Sequence, residues 1–189
     1  MTTNQSPLPR ILPCEPQDRS DAIRALLALA DETGLNAGNI CATLARNPDL
    51  FRKWLGFSGK LLAGALTPRA RELVILRVAW LCKSDYEWAH HARIGHRCGL
   101  TKADLHQIMF GPDSELWSTE EGALLRSVDE LHFASAISDD TWDILAKAFD
   151  EVRLIELLML IGHYQTVAFA ANSLRVELED DVAEYSFLR

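Results

Sequence analysis

Helix starts are written into this chain more plainly than any other structural signal. Asn47-Pro48 and Thr67-Pro68 each set a side-chain oxygen ahead of a proline. The oxygen can accept from the free N–H groups of a first turn, and the fixed proline φ suits the first helical position. Ser118 with Glu121 has the spacing of a capping box, and Thr101 and Ser138 stand ahead of further apolar runs. Ile23, Leu26, Leu27 and Ala30 fall at i, i+3, i+4 and i+7, one stripe of a helix. No segment alternates with period two long enough for a convincing strand, and no Asn-Gly or Asp-Gly pair offers a hairpin turn. The expected fold is all-α.

Read along the chain, Pro7, Pro9, Pro13 and Pro16 make residues 1–17 an extended arm. A helical domain over 18–176 follows, with an acidic tail over 177–189. The first helix is expected to end near Gly34, a second to cover Ile40–Arg46, and a third to run from the Asn47 cap to about Leu62. A central apolar helix spans roughly 68–82, and Asp85 is positioned to cap the next, 86–97. Thr101 caps a short helix to Met109; later helices run from Ser118 to about Ala134, from Ser138 through Phe149, and over Glu151–Leu174. Arg69–Leu76 also resembles Arg153–Leu160, each placing a glutamate just before an apolar run, as two helices packed side by side would require.

The length of 189 residues suits one domain, and the net charge of -8 argues against nucleic acid or an anionic membrane as the main partner. No uninterrupted apolar run reaches the roughly 18 residues of a bilayer span. The N-terminus lacks a charged-then-apolar signal pattern, so a reducing cytoplasm is the default location. Cys14, Cys41, Cys82 and Cys98 are scattered, without C-x-x-C or zinc-ligand spacing, and read as buried thiols.

Chemistry concentrates in Ser84-Asp85-Tyr86-Glu87-Trp88-Ala89-His90-His91, directly after the apolar run Leu73–Leu81. Glu87 lies at i, i+3 and i, i+4 from His90 and His91, where a carboxylate can orient an imidazole for acid–base work. Upstream, Glu72 is a second candidate, although a helix-start carboxylate beside Arg69 and Arg71 is explained equally well by the dipole and ion pairing. Tyr86, Trp80 and Trp88 suggest an aromatic-walled pocket, and His163-Tyr164 puts polar groups into the last apolar helix. Glu87-Trp88-Ala89-His90 matches the Glu-x-x-His element of di-iron bundles, but no second copy exists, so no metal is expected. Cys82 lies close enough to the cluster to be a thiol candidate.

Leu66-x-Pro68-x-x-x-Glu72-Leu73-Val74-Ile75-Leu76-x-Val78-Ala79, Tyr86-Glu87-Trp88-x-x-His91, Gly99-Leu100-Thr101 and Ile108 together resemble the carboxymuconolactone decarboxylase family, within the alkyl hydroperoxidase D-like superfamily. The resemblance covers residues 45–110, and more weakly the helix over 156–172. It implies a helical bundle assembled as a homo-oligomer, trimer or hexamer, with a site near a subunit interface. The redox branch carries a glutamate, a Cys-x-x-Cys and a histidine; here these positions hold Glu72, Ser84, Glu87 and His91, so the dithiol is missing. What remains implied is a cofactor-free decarboxylase-like lyase acting on a small carboxylic acid or lactone, as in aromatic catabolism. His91 is then the acid/base, oriented by Glu87 or Glu72, with Tyr86 as an oxyanion donor. Ser84, Trp88, His90, His163 and Tyr164 are expected to touch substrate, and Arg77, Arg93 or Arg97 to hold a substrate carboxylate. Thiol peroxidase chemistry through Cys82, and a non-catalytic oligomeric binder of small molecules, are the competing readings.

Overall fold

The computed structural model describes residues 8–32, 35 and 38–187. Among them are nine α-helices: α1 Asp21–Glu32, α2 Asn39–Leu44, α3 Pro48–Leu62, α4 Pro68–Leu81, α5 Asp85–Arg97, α6 Lys102–Phe110, α7 Thr119–Ala134, α8 Asp139–Ala148 and α9 Glu151–Leu174. Two 3-10 turns, Pro16–Asp18 and Asp180–Tyr185, flank the bundle, and no strand occurs among the described residues. The expected end of the first helix, Gly34, lies outside the described residues.

The caps do what their chemistry allows. The Asn47 side chain accepts from the N–H of Leu50, and Thr67 from that of Ala70. Thr101 with Asp104 and Ser118 with Glu121 form reciprocal capping boxes, and Ser138 accepts from Thr141. Asp85 is the exception. Ser84 occupies the N-cap of α5 without a side-chain cap, and the Asp85 carboxylate accepts instead from the Ser186 hydroxyl (2.6 Å) and the Phe187 N–H (2.9 Å).

α4 is the axis of the bundle. Leu73, Val74, Ile75, Leu76, Val78 and Ala79 are all completely buried, which places neighbours on every side of it. α5, α7, α9 and α6 supply them. An apolar run with no polar face is what such a position demands. α9 is long and apolar enough to cross a membrane by length and composition, but half of its most apolar stretch is buried within the fold. Val152, Ile155, Met159 and Phe169 remain exposed on it.

The echo between α4 and α9 is structural without being chemical. The two helices pack together. Glu72 turns inward, whereas Glu156 accepts the backbone N–H groups of Ala65 (2.8 Å) and Leu66 (2.9 Å) and so fixes the α3–α4 turn. A Cβ at Gly64 would meet that carboxylate, which would have to swing aside.

The described residues before α1 and after α9 are held against this core. Residues of the arm bond along it: Arg10 N–H to the Leu174 carbonyl (2.9 Å) and Cys14 N–H to that of Ala42 (3.0 Å). The acidic C-terminal segment packs on α5, with Val182 and Ala183 buried and the Phe187 ring against both Trp80 and Trp88.

Candidate active site

α4 and α5 form a helical hairpin whose reversal passes through Lys83, in the left-handed region at φ 53°. Glu72 and His91 each lie about two to three helical turns from that reversal, so the hairpin sets them opposite one another. Oε2 of Glu72 is 2.7 Å from Nδ1 of His91, and Arg71 Nε donates to Oε1 at 2.9 Å. Burial alone would raise the proton affinity of Glu72, which has no exposed surface; His91 and Arg71 outweigh it and hold the carboxyl below its ordinary range. An ionised Glu72 accepts the Nδ1–H of His91, and Nε2 of that ring makes no hydrogen bond to the described residues. His91 lines a cavity of about 360 Å³, and its ring meets the Tyr164 ring edge-on at 4.9 Å.

Glu87 lines the same cavity under opposite conditions. It is 3% exposed, and neither carboxyl oxygen has a hydrogen-bond partner. Burial pushes its proton affinity well above the usual carboxyl range, opposed only weakly by Ser84. The Ser84 hydroxyl, itself buried, does not reach bonding geometry. Of the two carboxylates expected to orient His91, Glu87 or Glu72, it is Glu72, from the neighbouring helix, that meets the ring.

Tyr86 and His90 face the cavity's rim. The Tyr86 hydroxyl donates to Oε1 of Glu179 (2.8 Å) and accepts from the Ile40 N–H (3.2 Å). Nε2 of His90 lies 2.7 Å from Oε2 of Glu179, and the Asn39 N–H donates to Oε1 at 2.5 Å. Burial followed by the charge of Glu179 raises the Tyr86 phenol, which therefore stays protonated. Burial likewise acts to raise Glu179, but His90, Asn39 and Tyr86 together keep it below its ordinary value.

On the opposite wall, Nε2 of His163 bonds the Ser58 hydroxyl at 2.8 Å, with Trp54 and Phe57 against its ring. Burial lowers its pKa from 6.5 to about 4, so it is a neutral wall group at pH 7. Trp54, Ile40, Leu62 and Val167 complete the apolar lining, and Arg93, Arg97 and Asp181 stand at the mouth. Arg93 is engaged with Asp181 at 2.7 Å. Arg97 is exposed and has no ion pair among the described residues.

Three expected contacts lie elsewhere. Arg77 is saturated by both oxygens of Asp129 (2.6 and 2.8 Å) and the carbonyls of Ile108 and Met109, so it cannot reach a ligand in the cavity. Trp88 points into the cluster with Trp80 and Phe187, and Ser84 is buried beneath the cavity wall. Cys82 does not line the cavity; its sulfur is 4.0 Å from Nδ1 of His132, and burial, then Glu87, pushes its thiol up to about 11. Cys41 does line it, but burial raises that thiol to about 12. No cluster of metal-ligating side chains occurs among the described residues. Glu179, Asn39 and Trp54 went unread in the sequence; Glu179 sits in a run of acids that nothing local distinguishes.

With the Glu72–His91 pair and its helical hairpin in place, comparison with known proteins shows what the chain is similar to. Residues 48–130 match the model of the carboxymuconolactone decarboxylase family. The alkyl hydroperoxidase D-like fold recurs in solved structures. An uncharacterised peroxidase-related protein from Ralstonia eutropha JMP134, with an alkylhydroperoxidase AhpD core, superposes with a TM-score of 0.79 at 19% identity, covering 93% of this chain and 95% of that one. The debrominase Bmp8, as a cysteine-to-alanine variant in complex with 2,3,4-tribromopyrrole, gives 0.74 at 17% identity over 95% of this chain and 97% of its own. A putative antioxidant defence protein AhpD from Agrobacterium tumefaciens gives 0.66 at 20% identity, covering 71% of this chain and 94% of that one. At these identities the likeness establishes the fold alone. No curated protein matches the sequence.

Proposed function

We propose that this chain is a cofactor-free lyase that removes carbon dioxide from a small carboxylic acid or lactone, with His91 as the acid/base. The observation that carries the reading is the buried Glu72–His91 pair at the wall of a mainly apolar cavity. A dry site destabilises a bound carboxylate relative to neutral carbon dioxide. When that bond breaks, the electron pair stays on the organic fragment and delocalises into an unsaturated carbonyl. A proton must then reach the carbon. His91 takes one from solvent at Nε2 and delivers it, while ionised Glu72 stabilises the imidazolium in between. Arg97, the unpaired cation at the mouth, suits a second anionic group that does not leave. The exposed apolar residues of α9 offer contact area for the homo-oligomer this reading includes.

The dithiol chemistry of the redox branch gets no support from the positions where it would sit. Ser84 and Glu87 stand there, and Cys82 lies outside the cavity. The deciding assay incubates the protein with unsaturated lactone carboxylates and follows carbon dioxide release. His91→Gln should reduce turnover by roughly 100-fold or more, and Cys82→Ser should leave it intact. Peroxide reduction lost in Cys82→Ser and kept in His91→Gln would overturn the reading.

A further inference from the structure

Glu87 lines the cavity and Glu72 stands behind it, bonded to His91, yet only Glu72 is given the donors that an ionised carboxylate needs. Among the described residues, no donor reaches bonding geometry with Glu87 and no cation is a cause of its shifted proton affinity. The groups that sense its charge, Cys82 and Tyr164, are a thiol and a phenol, and the Ser84 hydroxyl falls short of it. A buried carboxylate left ionised in such surroundings would meet desolvation with nothing to offset it. Accepting a proton removes that cost. A neutral carboxyl group that lacks a protein partner and lines a cavity still has one hydrogen bond to give.

We infer that Glu87 is held as an undissociated acid and that its O–H donates to an uncharged carbonyl oxygen of the bound ligand. The direction of its shifted proton affinity agrees with this placement. The inference rests on the proposed function only in taking the cavity as the substrate site, and it narrows the ligand to a compound with a ketone, enone or lactone carbonyl. As the carbon–carboxylate bond breaks, negative charge grows on that carbonyl oxygen and the Glu87 hydrogen bond strengthens. The proton stays on Glu87 throughout; when His91 protonates carbon the charge on the oxygen is lost, so the acid emerges unchanged. Glu87 and His91 thereby divide the work: one stabilises the oxyanion, the other moves the proton. Their environments push their protonation states apart, as such a division requires.

Infrared difference spectroscopy tests this at pH 7. Wild type minus Glu87→Gln should show the carbonyl stretch of a protonated carboxyl group. On adding 2(5H)-furanone, an unsaturated lactone, that band should shift to lower frequency. The lactone should bind Glu87→Gln, which keeps a donor, much as it binds wild type, and bind Glu87→Leu roughly tenfold more weakly. Absence of the band means that Glu87 is ionised and overturns the inference, whatever the turnover. A band that ignores a bound lactone, or a lactone that fails to bind wild type, overturns the donor role. If the band and its shift are found but no carbon dioxide is released from any lactone acid, the lyase reading falls and the role of Glu87 stands.

Discussion

Two histidines adjacent in sequence pair with two glutamates at the same distance, and the pairs serve different ends. Nδ1 of His91 meets Glu72 at 2.7 Å, and Nε2 of His90 meets Glu179 at 2.7 Å. Consecutive residues on a helix diverge by about 100°, so α5 aims one ring at the inner wall and the other at the rim. The Glu72 side chain is fully buried and backed by Arg71; that of Glu179 keeps 22% of its surface and belongs to the C-terminal segment. In the low-dielectric interior the first pair orients the ring proposed to carry the proton. At the partly wetted rim the second pair, with Tyr86 and Asn39, fastens one part of the chain to another. Burial, not residue type or distance, separates the two roles.

The sharpest way to break that comparison is to remove each ring in turn. His91→Gln should lower kcat by about 10² or more, while His90→Gln should act mainly through KM. Equal losses of kcat in a steady-state assay would mean that wall and rim are not distinct. Next in size is an acid-side loss of stability from the opposite wall. His163 is lowered from 6.5 to about 4, so between those values the unfolded chain binds a proton that the folded chain does not. Stability then falls as pH drops from 6.5 to 4, by on the order of 3 kcal/mol in urea titrations. His163→Gln should flatten that slope. Glu72 and Glu179, both held below the ordinary carboxyl range, add a separate loss that begins only when pH falls below their unfolded values and runs through the folded ones. A smaller effect comes from Glu179→Gln, which keeps a shape that fits the rim but weakens its charge-assisted bonds. It should cost about 1 kcal/mol and raise KM without changing kcat. The smallest is Thr67→Ala, which removes the α4 cap for about 1 kcal/mol or less, read as a thermal shift with kinetics unaltered.

The same contrast explains what could be read in advance. Caps and capping boxes are local chemistry, so Asn47, Thr67, Thr101, Ser118 and Ser138 marked their helices before any fold was known. Glu72 and His91 were visible as candidates, but helical spacing kept Glu87 open beside Glu72 as the partner of His91. The contact across the α4–α5 hairpin selects Glu72. Asp85 had the composition of a cap and was claimed by Ser186 and Phe187, about a hundred residues away in sequence. Arg77 had the charge for a ligand and was claimed by Asp129. Each departure is a local propensity outweighed by a distant partner, and the rim around Glu179 is built wholly from such partners.

The ring of Phe187 stands edge-on to the indoles of Trp80 and Trp88, at 5.3 and 5.7 Å between centroids. It rides on the same stretch of chain that carries Glu179 to the cavity mouth. A displacement of that stretch would draw an aromatic neighbour away from two fluorophores at once. Indole emission is thereby tied to the seating of a segment that also braces His90.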